Sequence, residues 1–305
     1  MDPVAAARTS LLGLAVGDAF GSMLDRFGAE LARKAAKRLI STKRPWLWSD
    51  DTAMAISIVD VLERHGAIDP DALASAFVRR FQEDPNRGYG AGAYGLLSRV
   101  ARGASWREEA MRMFGGKGSF GNGAAMRAAP IGAFFAADLE RVRAEALRSA
   151  APTHAHPDGA AGAVAVSIAA ALAQTRAVPR DAMLGEVARW TPASMTRDKL
   201  LRAEQLGLAF DVRFAGEELG TGANITSQDT VPFAIWVAAR HLDSYEEALW
   251  TATAHPELEL SSNLLSIFAI DRDTMGAIVG GIVACATGAD AIPVLWRAAC
   301  EALPS

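Results

Sequence analysis

Apolar residues recur at helical spacing from one end of this chain to the other, and that periodicity limits the possible folds more than any other feature. After Asp51, Met54, Ile58, Val61 and Leu62 mark one helix face; after Thr274, Met275, Ile278, Val279, Ile282 and Val283 mark another. Alternating Val, Ile, Thr and Tyr runs of strand type are nearly absent, so the spacing predicts an all-α protein. Start signals agree. Asp69-Pro70 sets a cap before a first-turn proline, and Ser105-Trp106-Arg107-Glu108 and Ser244-Tyr245-Glu246-Glu247 read as capping boxes. Alanine and glycine stud the segments 160–173 and 276–286, which calls for axes closer than leucine-faced helices permit. A compact, orthogonal multi-helix bundle is expected. No Pro-, Gly- or Ser-rich linker and no long repeat interrupts residues 1–305, so a single domain is expected.

A net charge of −4 gives no global attraction to nucleic acid or anionic membranes. Apolar windows such as Met275 to Ala289 fall short of the roughly 18–20 residues that span a bilayer, so no membrane segment is expected. Leu11 to Phe20 carries Asp18 with one basic residue before it, unlike a signal peptide. Cys285 and Cys300 lack metal or redox spacing and read as small buried hydrophobes in a reducing compartment. A cytoplasmic monomer is the expectation. The basic segment Arg33 to Arg44 reads as a solvated helix face and loop.

Two stretches stand out against this background. Ser49-Asp50-Asp51-Thr52 and Asp271-Arg272-Asp273-Thr274 each set two carboxylates and a hydroxyl at the start of an apolar helical pattern. Taken alone, Ser49 or Asp50 is an N-cap, with Asp51 complementing the helix dipole in the first turn. Asp271 and Asp273, two apart, would point in nearly opposite directions on a helix, so an extended turn before a helix starting near Thr274 is expected. If the two stretches meet, four carboxylates repel, and either their pKa values rise or divalent cations sit among them. Oxygen donors without His or Cys suit Mg²⁺ or Mn²⁺, not structural zinc, and two such ions would balance four negative charges.

Between them lies Gly115-Gly116-Lys117-Gly118-Ser119-Phe120-Gly121-Asn122-Gly123, followed by a helical pattern from Ala124. Successive glycines let backbone N–H groups turn toward an anion, which makes this a candidate phosphate cradle. The formal G-x-G-x-x-G match follows a helix pattern, with no βαβ unit, and the P-loop pattern fails because Gly118 follows Lys117. In Thr153-His154-Ala155-His156-Pro157-Asp158, either histidine is a candidate contact for phosphate or ribose, or an ordinary loop residue, and Asp158 reads as the next N-cap. Asp18, inside an apolar small-residue helix, needs a partner; a hydrogen bond to a nearby helix end is the simplest.

In order along the chain, these blocks resemble the ADP-ribosylglycohydrolase family. The resemblance rests on Gly17-Asp18-Ala19, Ser49-Asp50-Asp51-Thr52, Gly118 to Arg127, Thr153-His154, Asp229-Thr230-Val231-Pro232-Phe233 and Asp271 to Thr274. It implies an all-α globule whose cleft binds two Mg²⁺ or Mn²⁺ ions and removes ADP-ribose from a modified protein side chain or small molecule. By match, Ser49, Asp50, Asp51, Asp271, Asp273 and Thr274 would ligate metal. Gly118, Ser119, Phe120, Gly121 and Asn122 would hold the diphosphate and ribose, with His154 beside them. Asp25 falls where many members carry a glutamate near the reacting carbon, and Asp25, Asp50 and Asp273 are the candidate catalytic carboxylates. Departures from the pattern are Asp25 itself, Ser49 in place of threonine, Arg87-Gly88-Tyr89-Gly90 where some members place an acid-glycine loop, and Ala269-Ile270 after the unusual segment His255 to Phe268.

Overall fold

A computed structural model describes residues 2–255 and 270–304. Ala269 and most of the segment singled out from His255 to Phe268 lie outside the described residues. In chain order the helices are α1 (Pro3–Asp25), α2 (Leu31–Ala35), α3 (Asp50–His65), α4 (Pro70–Glu83), α5 (Ala91–Val100), α6 (Trp106–Gly116), α7 (Ala129–Phe134) and α8 (Leu139–Ala150). They continue as α9 (Pro157–Thr175), α10 (Met183–Trp190), α11 (Met195–Leu206), α12 (Val212–Leu219), α13 (Ser227–Arg240), α14 (Tyr245–Ala254), α15 (Arg272–Thr287) and α16 (Val294–Ala299). The expected all-α class is borne out: among the described residues there is no strand, and two isolated bridges join Trp46 to Cys300 and Gly121 to Thr226.

Local chemistry explains most of the starts. Asp69 Oδ1 accepts from the amides of Asp71 and Ala72 at 2.9 Å ahead of Pro70, and Ser244 Oγ accepts from Glu247 N at 3.4 Å. Ser105 precedes α6 without a side-chain cap bond. The regular part of α6 ends before Met113, because Phe114 and Gly115 take left-handed φ values of 50° and 68°.

The helices α1 and α15 make the most extensive pairing in the fold. They run antiparallel and touch backbone to backbone: a Cβ at Gly13, Gly17 or Gly21 would run into the backbone of Gly280, Gly276 or Arg272. Here glycine is required for close approach. The sequence expectation of closely packed axes is met by this pair, and it sets the start of α15 beside the C-terminal half of α1.

Helix α9 corrects one expectation. Its 19 residues contain an 18-residue window apolar enough to cross a membrane. A helix apolar on all sides is also what a protein core requires, and 78% of that window is buried inside the molecule. Within the basic segment Arg33 to Arg44, Arg33 and Lys34 pair with Glu30, and Arg38 pairs with Glu247. Burial pushes the Cys285 and Cys300 thiols up to about 12, in keeping with unreactive side chains.

Candidate active site

Three chain segments build the site on the α1/α15 pair. The first is the start of α3. Ser49 is its N-cap, as expected, with Oγ accepting from Asp51 N at 3.2 Å and donating to Asp51 Oδ2 at 2.8 Å. Asp18, fully buried on α1, fixes this helix end from below. Its carboxylate accepts from Ser49 N at 2.9 Å, Thr52 N at 3.1 Å and the Thr52 hydroxyl at 2.6 Å. The partner expected for Asp18, a helix end, is therefore α3.

The second segment is the start of α15, and here the sequence reading needs correction. Asp271 is the N-cap and Asp273 lies inside the first turn, because Asp271 C=O already accepts from Met275 N at 2.9 Å. Standing outside the helix, Asp271 escapes the geometry that would aim the two acids in opposite directions. Its own amide donates to Thr221 C=O at 3.2 Å, while Asp273 Oδ1 accepts from Thr274 N at 2.9 Å.

The third is the glycine loop. Gly118 has φ of 77°, and a Cβ there would come within 2.6 Å of His156 N. Asn122 Nδ2 donates to Asp271 Oδ2 at 2.7 Å and to Thr230 Oγ1 at 3.0 Å, tying the loop to the second acidic stretch. Backbone bonds from Asn122 N to Ile225 C=O (3.3 Å) and from Ser227 N to Phe120 C=O (3.0 Å) clamp the loop against residues 221–226. Asp229 shapes that opposing loop, accepting from Asn224 N and Gly222 N at 2.8 Å each. The helix expected from Ala124 is instead a 3₁₀ turn over Asn122–Ala124, and α7 begins only at Ala129, where Pro130 fits the first turn. Asp158 is likewise not a cap: Pro157 occupies the first helical position, so His156 caps α9, with Nδ1 accepting from Asp158 N at 3.1 Å.

Together these segments enclose a cleft of about 380 Å³. Asp50, Asp51, Asp271, Asp273 and Thr274 line one part; Ser119, Phe120, Gly121, Asn122 and His154 line another. Ser49 and Gly118 are not among the residues that line the cleft. Asp25 is not brought to it: at the exposed end of α1, its carboxylate pairs with Arg272 at 3.0 Å. Arg87 also turns away from the cleft, forming a two-pronged pair with Glu301 (2.6 and 2.8 Å) and lying 3.7 Å over the Trp48 ring. This leaves Gly88 and Gly90 to face the cleft beside Asp50.

Sequence reasoning gave no role to Arg127, although it closes the quoted Gly118 to Arg127 block. Its guanidinium is buried, bonded to Ser149 C=O and Thr153 Oγ1, and stacked 4.4 Å from the Phe77 ring centroid. Burial lowers its pKa to about 9, against the attraction of Asp50 and Asp51. The available signal was a basic residue ending an otherwise small and apolar run.

Crowding of the acids has the expected electrostatic result. Burial, then the nearby Asp273, raises Asp18 to about 8 and Asp50 to about 7. Burial, then Asp273 and Asp18, holds Asp51 well above the usual carboxylate range, and Asp271 is raised likewise by burial and by Asp273. Asp51 Oδ1 is buried without a hydrogen-bond partner. An orphaned carboxylate oxygen in an all-oxygen, acid-rich pocket fits hard divalent cations in charge and donor type. Among the described residues, no three carboxylate, imidazole or thiolate groups stand together as a finished metal shell.

A helical globule with two acidic helix starts facing a glycine loop defines a class, and the family profile of the ADP-ribosylglycohydrolases matches residues 2–304. The chain belongs to that family of glycosidic-bond hydrolases. ADP-ribosylhydrolase ARH3 of Mus musculus is 29% identical over 283 residues, covering 83% of this chain and 73% of that protein. ADP-ribosylarginine hydrolase Tri1 of Serratia proteamaculans (strain 568) is 24% identical over 311 residues, covering 95% and 74%. A solved structure, described as an ADP-ribosylglycohydrolase-related protein complex, shares the fold with a TM-score of 0.65 at 22% identity, covering 98% of this chain and 93% of that one.

Proposed function

We propose that this protein hydrolyses the bond between the distal ribose of ADP-ribose and an ADP-ribosylated protein side chain or small molecule, using two Mg²⁺ or Mn²⁺ ions. The supporting observation is the 2.7 Å hydrogen bond from Asn122 to Asp271, which joins an anion-cradling loop to the acidic part of the cleft. The Ser119 to Asn122 backbone and His154 hold the diphosphate and adjoining ribose. Asp50, Asp51, Asp271, Asp273 and Thr274 hold the cations, with Ser49 behind Asp51. When bound, such a pair supplies positive charge that orients ribose hydroxyls and acidifies water.

In the reaction, a water oxygen bonds to the anomeric carbon as the bond from that carbon to the acceptor atom breaks. The leaving atom keeps the electron pair and gains the water proton, releasing ADP-ribose and the unmodified acceptor. Asp50 is assigned the proton transfer because, of the two carboxylates Asp25 and Asp50 that could serve, it is the one that lines the cleft. Asp273, which lines the same part of the cleft, is the other candidate catalytic carboxylate there. Arginine is placed ahead of serine as acceptor, an ordering supported by the name of Tri1 alone. A cytoplasmic monomer is proposed as well, to be checked by light scattering and cell fractionation.

The pairing of Asp25 with Arg272, away from the cleft, favours a second reading: an ADP-ribose-binding protein with little or no turnover. One experiment addresses both. Arginine- and serine-ADP-ribosylated proteins are incubated with the protein and Mg²⁺ or Mn²⁺, and free ADP-ribose is followed beside calorimetric binding of ADP-ribose. Release supports the hydrolase, and binding without release, unchanged by Asp273→Asn, supports the second reading. Neither, from a folded protein, removes both.

A further inference from the structure

His154 is wedged into the wall of the cleft. A Cβ on Gly123 would come within 3.0 Å of its Cε1, and one on Gly159 within 3.1 Å of its Cδ2. The ring therefore has little room to turn, and what its two nitrogens do is set by their partners. Nδ1 lies 2.7 Å from Thr153 Oγ1, a separation bridged by one proton.

Which atom owns that proton follows from the threonine's other partner. Arg127 Nη2 donates to Thr153 Oγ1 at 2.8 Å, and a guanidinium cannot accept. One lone pair of Oγ1 is thus occupied, and the hydroxyl proton has Nδ1 as its hydrogen-bond partner among the described residues. Were the ring to donate instead, a hydroxyl proton would be left unpaired in a site where Thr153 is 2% exposed.

We infer that Arg127 and Thr153 are positioning residues that lock His154 as the neutral Nε2–H tautomer, so that the ring presents a hydrogen-bond donor to an oxygen of the bound ADP-ribose. The relay depends on the proposed function only for the identity of that ligand. Nε2 lies against the glycine loop, about where the backbone of Gly121 turns: a Cβ on Gly121 would be 3.5 Å from it. No protein group among the described residues takes it up. Burial, with the Arg127 charge behind the threonine, holds the imidazole down to about 3, so the ring stays uncharged where free histidine titrates. The donor is therefore available to an anion without a change of charge.

The test uses the full chain labelled with ¹⁵N-histidine and a two-bond ¹H–¹⁵N correlation, with the His154 signal assigned by its loss in His154→Gln. The expected result is a protonated Nε2 and an unprotonated Nδ1 in the ligand-free protein. Thr153→Val should mix or reverse the tautomers and weaken ADP-ribose binding about tenfold by calorimetry, and Thr153→Ser should restore both. An Nδ1–H ring or an imidazolium in the unaltered protein, or an unchanged tautomer in Thr153→Val, overturns the relay. Absence of ADP-ribose binding with the Nε2–H tautomer intact removes the proposed ligand and leaves the tautomer assignment standing.

Discussion

Asp18 Oδ2 accepts the hydroxyl proton of Thr52 at 2.6 Å, so a carboxylate in the middle of α1 caps the helix that carries the first acidic stretch. Truncation by Asp18→Ala strands the amides of Ser49 and Thr52 in a buried site. At about 1–3 kcal/mol for each unsatisfied donor, the expected loss of unfolding free energy is at least about 2 kcal/mol by urea denaturation. Asp18→Asn keeps a carbonyl acceptor for these donors, so it should cost less. A change within about 0.5 kcal/mol for the alanine variant would show that the cap is dispensable.

Asn122 is the joint between loop and acids. A hydrogen bond to a charged group contributes about 1.5–3 kcal/mol. If that bond shapes the bound state, Asn122→Ala should lower ADP-ribose affinity by about 10- to 100-fold, measured by calorimetry, with thermal stability little altered. Equal affinity in the variant would mean that the loop is positioned without this residue.

Backbone contact between α1 and α15 allows no added atoms. Gly17→Val or Gly276→Val should destabilise the fold by about 1–3 kcal/mol or more, read as a fall in Tm. Gly90→Ala is the matched control: a Cβ there meets nothing within 4 Å, and Gly90 has no left-handed φ. Its Tm should be unchanged.

The acids also predict how pH acts on metal-free protein. Asp50 moves from 3.8 to about 7 and Asp18 from 3.8 to about 8 on folding. Between roughly pH 4 and 8 the native state therefore binds more protons than the unfolded state, and stability falls as pH rises through that window. Cations compete with those protons, so Mn²⁺ or Mg²⁺ should raise Tm more at pH 8 than at pH 5, and a chelator should reverse the gain. A Tm shift by Mn²⁺ that is independent of pH would separate its binding from these carboxylates.

Much of this architecture is legible in the order of residues. Helical spacing reveals the all-α class, the small-residue helices reveal close packing, and the cost of burying Asp18 reveals that it caps a helix. Contacts between distant segments are harder to read. Nothing local to Asp25 shows that Arg272 will claim it, and nothing in Arg87-Gly88-Tyr89-Gly90 shows that Glu301 and Trp48 will draw the arginine away. The start of α15 lies two residues earlier than the sequence suggests, and the amide of its cap, Asp271, is held by Thr221, on another part of the chain. Arg127 escapes notice for the same reason, since its partners are Ser149, in the last turn of α8, and Thr153, just after that helix.

The glycine contacts of α1 with α15 carry a mechanical consequence for the cleft. Both acidic stretches stand on that pair, one at the start of α15 and one pinned to α1 through Asp18, so they move as a single floor. The walls over that floor are the turns around Gly88, Phe114, Gly121 and Asn224, none of which contributes to the helix pair. Reshaping the opening for a different acceptor is thus a matter of altering turns, but those at Gly121 and Asn224 also hold Asp271 through Asn122 and Thr221, so a change there reaches the acids as well.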